Sequence, residues 1–528
     1  MSLRRLSTTR GFKPLVAGHS FILGQLTWQH RPQCFRLQTQ TYATEKKDDT
    51  KHFTPSFEKP VKTEPTPSPT SSDISNQSMP EGWEDNPDLS IKTFSELPHK
   101  YFGTNQHIRV NEDFKEALRQ ILWEFKAPIR YAFAYGSGVF SQSNKPASPD
   151  ALSPHPHPPE AIKKWQENGA KIIDFIFGVS YTHHWQSINL QQYPEHYSAL
   201  KYLGSYTVSK IQDSWGAGVY FNPYITVNGT MIKYGVVNLD TICRDLSEWD
   251  TLYIAGRLQK PVKILRDDPR VRLANQINLM SAVRTALLML PEEFTERQLY
   301  ETITSISYLG DPRMSFGSEN TSKVRNIVRN QLPNFRQLYV PLIDTLPNVA
   351  FNDSRIPLEA GWEREDVMAR SADTRNPAEI IGGPDGFKMQ QDMSAQRRGN
   401  MVRRLPRLFR QKLYYQYRKK FAIPGSAFDK IIDESKDEDA QSFIGKREAG
   451  DFERRIAMES DIAQKVETCV RNTIAWPSTS QSIKGLATAG VSRGWRYWSE
   501  KRKRYGESAA KEKKEKKDEK PKDENKME

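Results

Sequence analysis

The chain has 528 residues, room for two or three domains, yet only 37% are hydrophobic and proline outnumbers glycine 33 to 29, so part of it lacks the apolar surface to fold. A formal net charge of +13 points to a polyanionic partner: nucleic acid, anionic lipid or nucleotide. Cys34, Cys243 and Cys469 are too scattered for a zinc site or a disulfide framework, so any metal is expected on oxygen ligands, and no apolar run nears the roughly 18 residues that cross a bilayer.

Residues 1–44 carry Arg4, Arg5, Arg10, Lys13, Arg31 and Arg36, many Ser and Thr, and no acid before Glu45. That is the composition of a mitochondrial presequence. Residues 45–98 are rich in Pro, Ser, Thr and charge and read as a disordered spacer. Phe114, Leu118, Ile121 and Leu122 recur at helical spacing ahead of Pro128. Next comes an aromatic strand, Tyr131–Tyr135, which stops at Gly136-Ser137-Gly138. Successive glycines let main-chain N–H groups converge on an anion, and the Ser137 hydroxyl adds a donor. A loop follows with Pro146, Pro149, Pro154, Pro156, Pro158 and Pro159, in which His155 and His157 read as solvated. Lys171–Phe177 is a buried strand carrying one carboxylate, Asp174, which needs an exposed strand end, a cation or a metal.

His183–Ser198 suits a helical insertion beside a pocket, with Trp185 and Tyr197 in the core and His196 a candidate for a further role. Gly216–Tyr224 and Met231–Val237 form a hairpin around Asn228-Gly229. Lys233, flanked by apolar residues in the second strand, either snorkels outward or points into a site where a triphosphate neutralises it. Leu239–Trp249 is helical and contains Asp240 and Asp245. Leu252–Val262 reads as a strand and turn with two cations, Arg257 and Lys260, which either clamp phosphate oxygens or pair with Asp240 or Asp245.

Three helical runs, Arg270–Leu290, Thr295–Tyr308 with a Thr295/Gln298 capping box, and Ser322–Leu332, suggest a winged-helix-like module over 261–345. Arg325 and Arg329 share a face of the third helix and raise a DNA-binding alternative, but a wall or lid of a nucleotide pocket is preferred, and no nucleic-acid partner is expected. Residues 346–460 are extended and helical. Within them, 401–420 is strongly basic, with Phe409, Leu413 and Tyr417 along one side, as expected of a helix on anionic lipid. Over 461–500, Ile483, Ala487, Val491, Trp495 and Trp498 form an interfacial stripe opposite Arg493 and Arg496, so this segment is expected to associate with a membrane. Residues 501–528 are a charged, disordered tail.

A strand ending in Gly-Ser, followed by an acid-bearing strand, resembles the nucleotidyltransferase superfamily, in which the loop holds triphosphate and the carboxylate holds Mg²⁺. Six blocks in order, Tyr135-Gly-Ser-Gly-Val139, Ile173-Asp174-Phe175, His196-Tyr-Ser198, Gly216-Ala-Gly-Val-Tyr220, Ile232-Lys-Tyr-Gly-Val236 and Tyr253-Ile-Ala-Gly-Arg-Leu-Gln-Lys-Pro-Val262, resemble the mitochondrial translocator assembly and maintenance family of peripheral phosphatidate cytidylyltransferases. The resemblance implies an α/β fold: a nucleotidyltransferase-like mixed sheet with flanking helices over 99–260, then the winged-helix-like part and the amphipathic segment. It implies Mg²⁺-dependent conversion of CTP and phosphatidic acid to CDP-diacylglycerol and pyrophosphate for cardiolipin synthesis, on the anionic, matrix-facing surface of the inner membrane. It further implies Asp174 as metal ligand, Asp174, Ser137 and Lys233 as catalytic residues, and Gly136, Ser137, Gly138, Lys233, Arg257 and Lys260 as contacts of the nucleotide phosphates. The chain departs from the superfamily's paired Asp-x-Asp, since Ile176 occupies the second position; Asp240 and Asp245 are the candidates for the missing acid. It also carries Ser180, Tyr181 and Gln186 where relatives place acids and a Trp-His pair. An RNA-directed nucleotidyltransferase and a noncatalytic inner-membrane assembly factor are the rival expectations. The sequence leaves the oligomeric state open.

Overall fold

The computed structural model describes residues 89–140, 172–311, 323–353, 383, 385–434 and 448–489. All of these fall in the unit Ser68–Glu528; a second unit, Met1–Pro67, lies outside them. The presequence, most of the spacer, the proline-rich loop with His155 and His157, the Val491–Trp498 half of the aromatic stripe and the charged tail also lie outside the described residues. The spacer ends earlier than expected. Ile91 and Leu97 are buried with Phe102 and Leu273, because even two apolar side chains in a polar run gain by leaving water when a helix offers them a seat.

Helix α1 (Glu112–Trp123), capped by the Asn111 side chain, precedes β1 (Tyr131–Tyr135). After β2 (Ile173–Val179) come α2 (Thr182–Gln192) and α3 (Gly204–Ser214), then the hairpin β3 (Val219–Val227) and β4 (Thr230–Asn238). Asn228 and Gly229 both have positive φ, +47° and +74°, the turn that matches the strands' twist. Next are α4 (Leu239–Glu248), the short α5 (Ala255–Leu258) and β5 (Lys263–Arg266). The five strands form a mixed sheet in the order β3-β4-β2-β1-β5, with β2 and β4 parallel and the other pairs antiparallel. Because β5 pairs with β1, the sheet domain runs past the expected boundary at 260. The strand expected at the start of Leu252–Val262 is instead a turn that leads into α5.

Successive strand residues face opposite sides, so the sheet has two cores. Phe175, Phe177, Tyr234 and Val236 pack with α1 and Trp185 of α2. Phe133, Ile176, Phe221 and Val237 face the other way, into the larger core that the C-terminal half of the chain completes.

That half begins with α6 (Pro269–Met289), nearly all of it buried. It continues through β6 (Glu293–Thr295), α7 (Glu296–Ile306), α8 (Lys323–Ile343), β7 (Val349–Phe351) and β8 (Lys388–Gln391). In this half the helices alternate along the chain with a three-stranded antiparallel sheet in the order β6-β8-β7. The Thr295/Gln298 capping box is present at the start of α7. Glu296 and Arg336, both fully buried, pair at 2.8 Å and pin α7 to α8. Such a pair is costly to break because either partner alone is left an uncompensated buried charge.

The remaining helices are α9 (Ala395–Arg403), α10 (Arg407–Lys420), α11 (Gly425–Glu434), α12 (Asp451–Met458) and α13 (Ile462–Ala489). They overturn one expectation. The basic 401–420 stretch is two helices broken at Pro406, and Phe409, Leu413 and Tyr417 are fully buried in the larger core, so that face is closed to lipid. In the 461–500 segment Val466, Cys469, Val470 and Ile474 are core residues, while Ile483, the one member of the expected stripe whose side chain is described, stands exposed, as does Trp476. Among the described residues no helix is long and apolar enough to cross a membrane.

Candidate active site

Antiparallel pairing sets Tyr135, the last residue of β1, opposite Asp174 of β2. The chain then turns at Gly136, whose φ of +81° lies in the left-handed region that a Cβ disfavours. A Cβ there would stand 3.5 Å from Asp174 Oδ2, so the turn faces the carboxylate directly. Gly138 is needed for a different reason: its Cβ would meet the Ile172 carbonyl oxygen at 2.7 Å, where the loop folds back over the start of β2. Val139 and Phe140 both donate their N–H groups to the Gly136 carbonyl, which closes the turn with Ser137 half-buried inside it.

Parallel pairing of β2 with β4 puts Lys233 beside Asp174 on the same sheet face. Of its two sequence-level alternatives, Lys233 takes the inward one. Its Nζ lies 3.5 Å from Asp174 Oδ1 and 4.5 Å from the centre of the Phe221 ring, and the two charged side chains are 17% and 28% exposed. Arg257 joins them from α5. Its Nε donates to the Tyr135 hydroxyl at 3.3 Å, and its guanidinium stacks 3.9 Å from the Tyr253 ring centre while also bonding the Tyr253 carbonyl. Burial raises the Tyr135 hydroxyl above the ordinary tyrosine range, so it stays neutral where it accepts from Arg257.

Neither proposed partner acid reaches Asp174. Asp245 is buried and accepts from the N–H groups of Thr251, Leu252, Ile254 and Ala255, at 2.8 to 3.0 Å, and from the Thr251 hydroxyl. Those bonds draw 251–255 into a cap over the end of α4. They are why no strand forms there and why Arg257 emerges at the site. Asp240 pairs with Arg270 at 3.0 Å near the surface. The acids expected to engage Arg257 or Lys260 are thus committed elsewhere.

Lys260 is half-buried and bonds the Gly256 carbonyl and, at 2.6 Å, the Ser307 hydroxyl at the end of α7. Burial, then the neighbouring Arg257 and Lys323 charges, push its ammonium well below the usual lysine range. His196 belongs to the other side of the sheet, because its partner Tyr234 alternates with Lys233 along β4. Its Nδ1 lies 2.9 Å from the Tyr234 hydroxyl, in a buried network with Asn189, Tyr197 and Gln186. Trp185 and Tyr197 are core residues, as expected.

Sequence reasoning missed the tyrosines. Tyr253 sits four residues before Arg257, a spacing that a cation–π pair on a helical turn would have flagged. Among the described residues no group of three His, Cys, Asp or Glu could hold a metal. Among the described residues, Asp174 is the acid that offers hard carboxylate oxygens beside the glycine turn. That donor set suits a Mg²⁺ whose other ligands are substrate phosphates and water, the usual arrangement for this ion.

The sequence profile of a family described as "Phosphatidate cytidylyltransferase, mitochondrial" matches residues 118–504. The protein of that name from Saccharomyces cerevisiae is 44% identical over 265 residues, covering 49% of this chain and 63% of the yeast protein. For the Schizosaccharomyces pombe protein the identity is 44% over 250 residues, 47% of this chain and 58% of the relative. This chain thus spans less than two thirds of either fungal relative. The Rattus norvegicus protein is 34% identical over 387 residues, 73% of this chain and 93% of its own.

Proposed function

Because the chain belongs to the family of mitochondrial phosphatidate cytidylyltransferases, we propose that it transfers CMP from CTP to phosphatidic acid, yielding CDP-diacylglycerol and pyrophosphate. The observation that carries the reading is the Gly136 turn opening onto Asp174, with Lys233 beside it. Main-chain N–H groups of Gly136–Gly138 and the Ser137 hydroxyl cradle the triphosphate, while Lys233 and Arg257 neutralise its oxygens. An oxygen of the phosphatidate phosphate attacks the α-phosphorus of CTP. A new P–O bond forms as the bond to the β-phosphate breaks, and the electron pair leaves with pyrophosphate. The attacking oxygen is already an anion, so no side chain has to remove a proton. What the site must overcome is repulsion between two polyanions, the task its cations serve. Asp174 would hold Mg²⁺, which supplies further charge neutralisation when bound.

The reading extends to a mitochondrial enzyme on the matrix face of the inner membrane. The relatives carry "mitochondrial" in their names, and Trp476 and Ile483 are exposed large apolar side chains of α13. The test is an acceptor comparison: purified full chain, radiolabelled CTP, and either phosphatidate vesicles or RNA, with Mg²⁺ or with EDTA. Labelled CDP-diacylglycerol is expected only with phosphatidate and Mg²⁺. Label entering RNA, or no product from either acceptor, overturns the proposal.

A further inference from the structure

The cations expected to act together on the nucleotide divide into two groups. Lys233 and Arg257 surround Tyr135 and Asp174, as described. The second group gathers on another ring: Lys260 Nζ lies 5.2 Å and Lys323 Nζ 5.3 Å from the centre of Tyr308. It straddles a domain boundary, since Lys260 follows α5 of the sheet domain, Ser307 and Tyr308 follow α7, and Lys323 begins α8. Gly256 lets the two parts touch, for a Cβ there would stand 2.6 Å from Ser307 Cβ. Among the described residues, the charged groups that act on Lys260 are Arg257 and Lys323, both cations. Two ammonium groups set against one aromatic ring repel one another, and an anion of more than one charge bound beside them offsets that repulsion. Arg257 acts on both Tyr135 and Lys260, so it lies where the two groups meet.

We propose that Lys260, Lys323, Ser307 and Tyr308 form a separate subsite for the acceptor's phosphate monoester, with Arg257 shared between that phosphate and the nucleotide. The proposal rests on the transfer reading above and refines it. Nucleotide phosphates occupy the Gly136 turn beside Asp174, and the in-line partner needs its own cations to be held at the α-phosphorus rather than repelled from it. A monoester carries nearly two negative charges near neutral pH and a diester carries one, so paired lysines distinguish them. Binding of the dianion also favours the charged form of Lys260, against the burial and like charge that disfavour it.

The test uses the full chain with soluble dihexanoyl phosphatidic acid, its methyl diester (dihexanoyl phosphatidylmethanol) and CTP, each followed by calorimetry, together with steady-state rates. Wild type is expected to bind the monoester at least ten-fold more tightly than the diester. Lys323→Ala, at a half-exposed position, should erase that preference and raise KM for the short-chain phosphatidate at least ten-fold, with KM for CTP within two-fold; Lys323→Arg should keep most of both. Lys260→Met should behave like Lys323→Ala, provided that its melting profile shows it folded. An equal rise in both KM values, or an unchanged monoester preference in a folded Lys323→Ala, overturns the subsite while leaving the transferase reading intact. A wild type that binds CTP but neither binds nor consumes phosphatidate sinks that reading and the subsite with it.

Discussion

Replacing Asp174 by Asn separates chemistry from stability. In the folded chain the carboxylate sits 3.5 Å from Lys233 Nζ, an attraction of about 5 kcal/mol at an effective dielectric of about 20 and about 1 kcal/mol in water. Both side chains keep some solvent contact, and each gave up hydration to form the pair, so the net loss is expected near the lower figure, about 1 kcal/mol. Asn fits the same space and still accepts a hydrogen bond, which limits the apparent melting point to a fall of about 2 °C. The effect on turnover is of another order. Without the anionic oxygen the site loses the candidate metal ligand found among the described residues, and the rate should fall by roughly 10³-fold or more, in line with the loss of a preorganised electrostatic group. The assay is initial-rate formation of CDP-diacylglycerol with Mg²⁺ titrated to saturation, run alongside a thermal melt. A variant that turns over within three-fold of wild type, or one that loses activity only because it melts far earlier, would refute the assignment.

Asp245→Asn tests the cap that presents Arg257. Two of the donors now facing a carboxylate would meet an amide NH₂, at a cost of about 3–5 kcal/mol, and the denaturant midpoint should fall accordingly along with CTP affinity; an unchanged midpoint contradicts the structural role. Lys484, buried against the Gln212 and Trp215 carbonyls, has its ammonium pushed down to about 7 by burial, with Asp213 opposing. Between that value and the unfolded one near 10.5, the folded chain holds fewer protons than the unfolded chain, so this lysine makes stability rise with pH there, by at most about 1.4 kcal/mol per unit. Melting points at pH 7 and pH 9 should therefore climb in wild type relative to Lys484→Met, and parallel curves would exclude the effect. Truncation after residue 489 should reduce sedimentation with anionic vesicles and spare CTP binding, whereas truncation before 478 also removes Gln481, which bonds the Val219 carbonyl, and should lower the melting point. Equal vesicle binding by the full chain and the shorter one would remove the lipid role of 490–500.

The sheet, its glycine turn and its acid were legible because each is a local pattern. An apolar strand must end where glycines begin, a lone carboxylate must find a strand end or a cation, and Asn-Gly must close a hairpin. The same local logic erred at the start of Leu252–Val262, where apolar residues suggested a strand but the Asp245 carboxylate collects the backbone donors instead. It erred again at Phe409, Leu413 and Tyr417: an amphipathic face states that something covers it, not whether the cover is lipid or protein. Which partners meet was left to tertiary structure. The inward turn of Lys233 follows from its pairing with Asp174, and the meeting of Lys260 with Lys323 follows from folding the helical module onto the sheet domain across Gly256. Periodicity fixes which side of an element is apolar, but the pairing of side chains from residues 174 and 233, or 260 and 323, depends on how whole elements pack, which no short window of sequence contains.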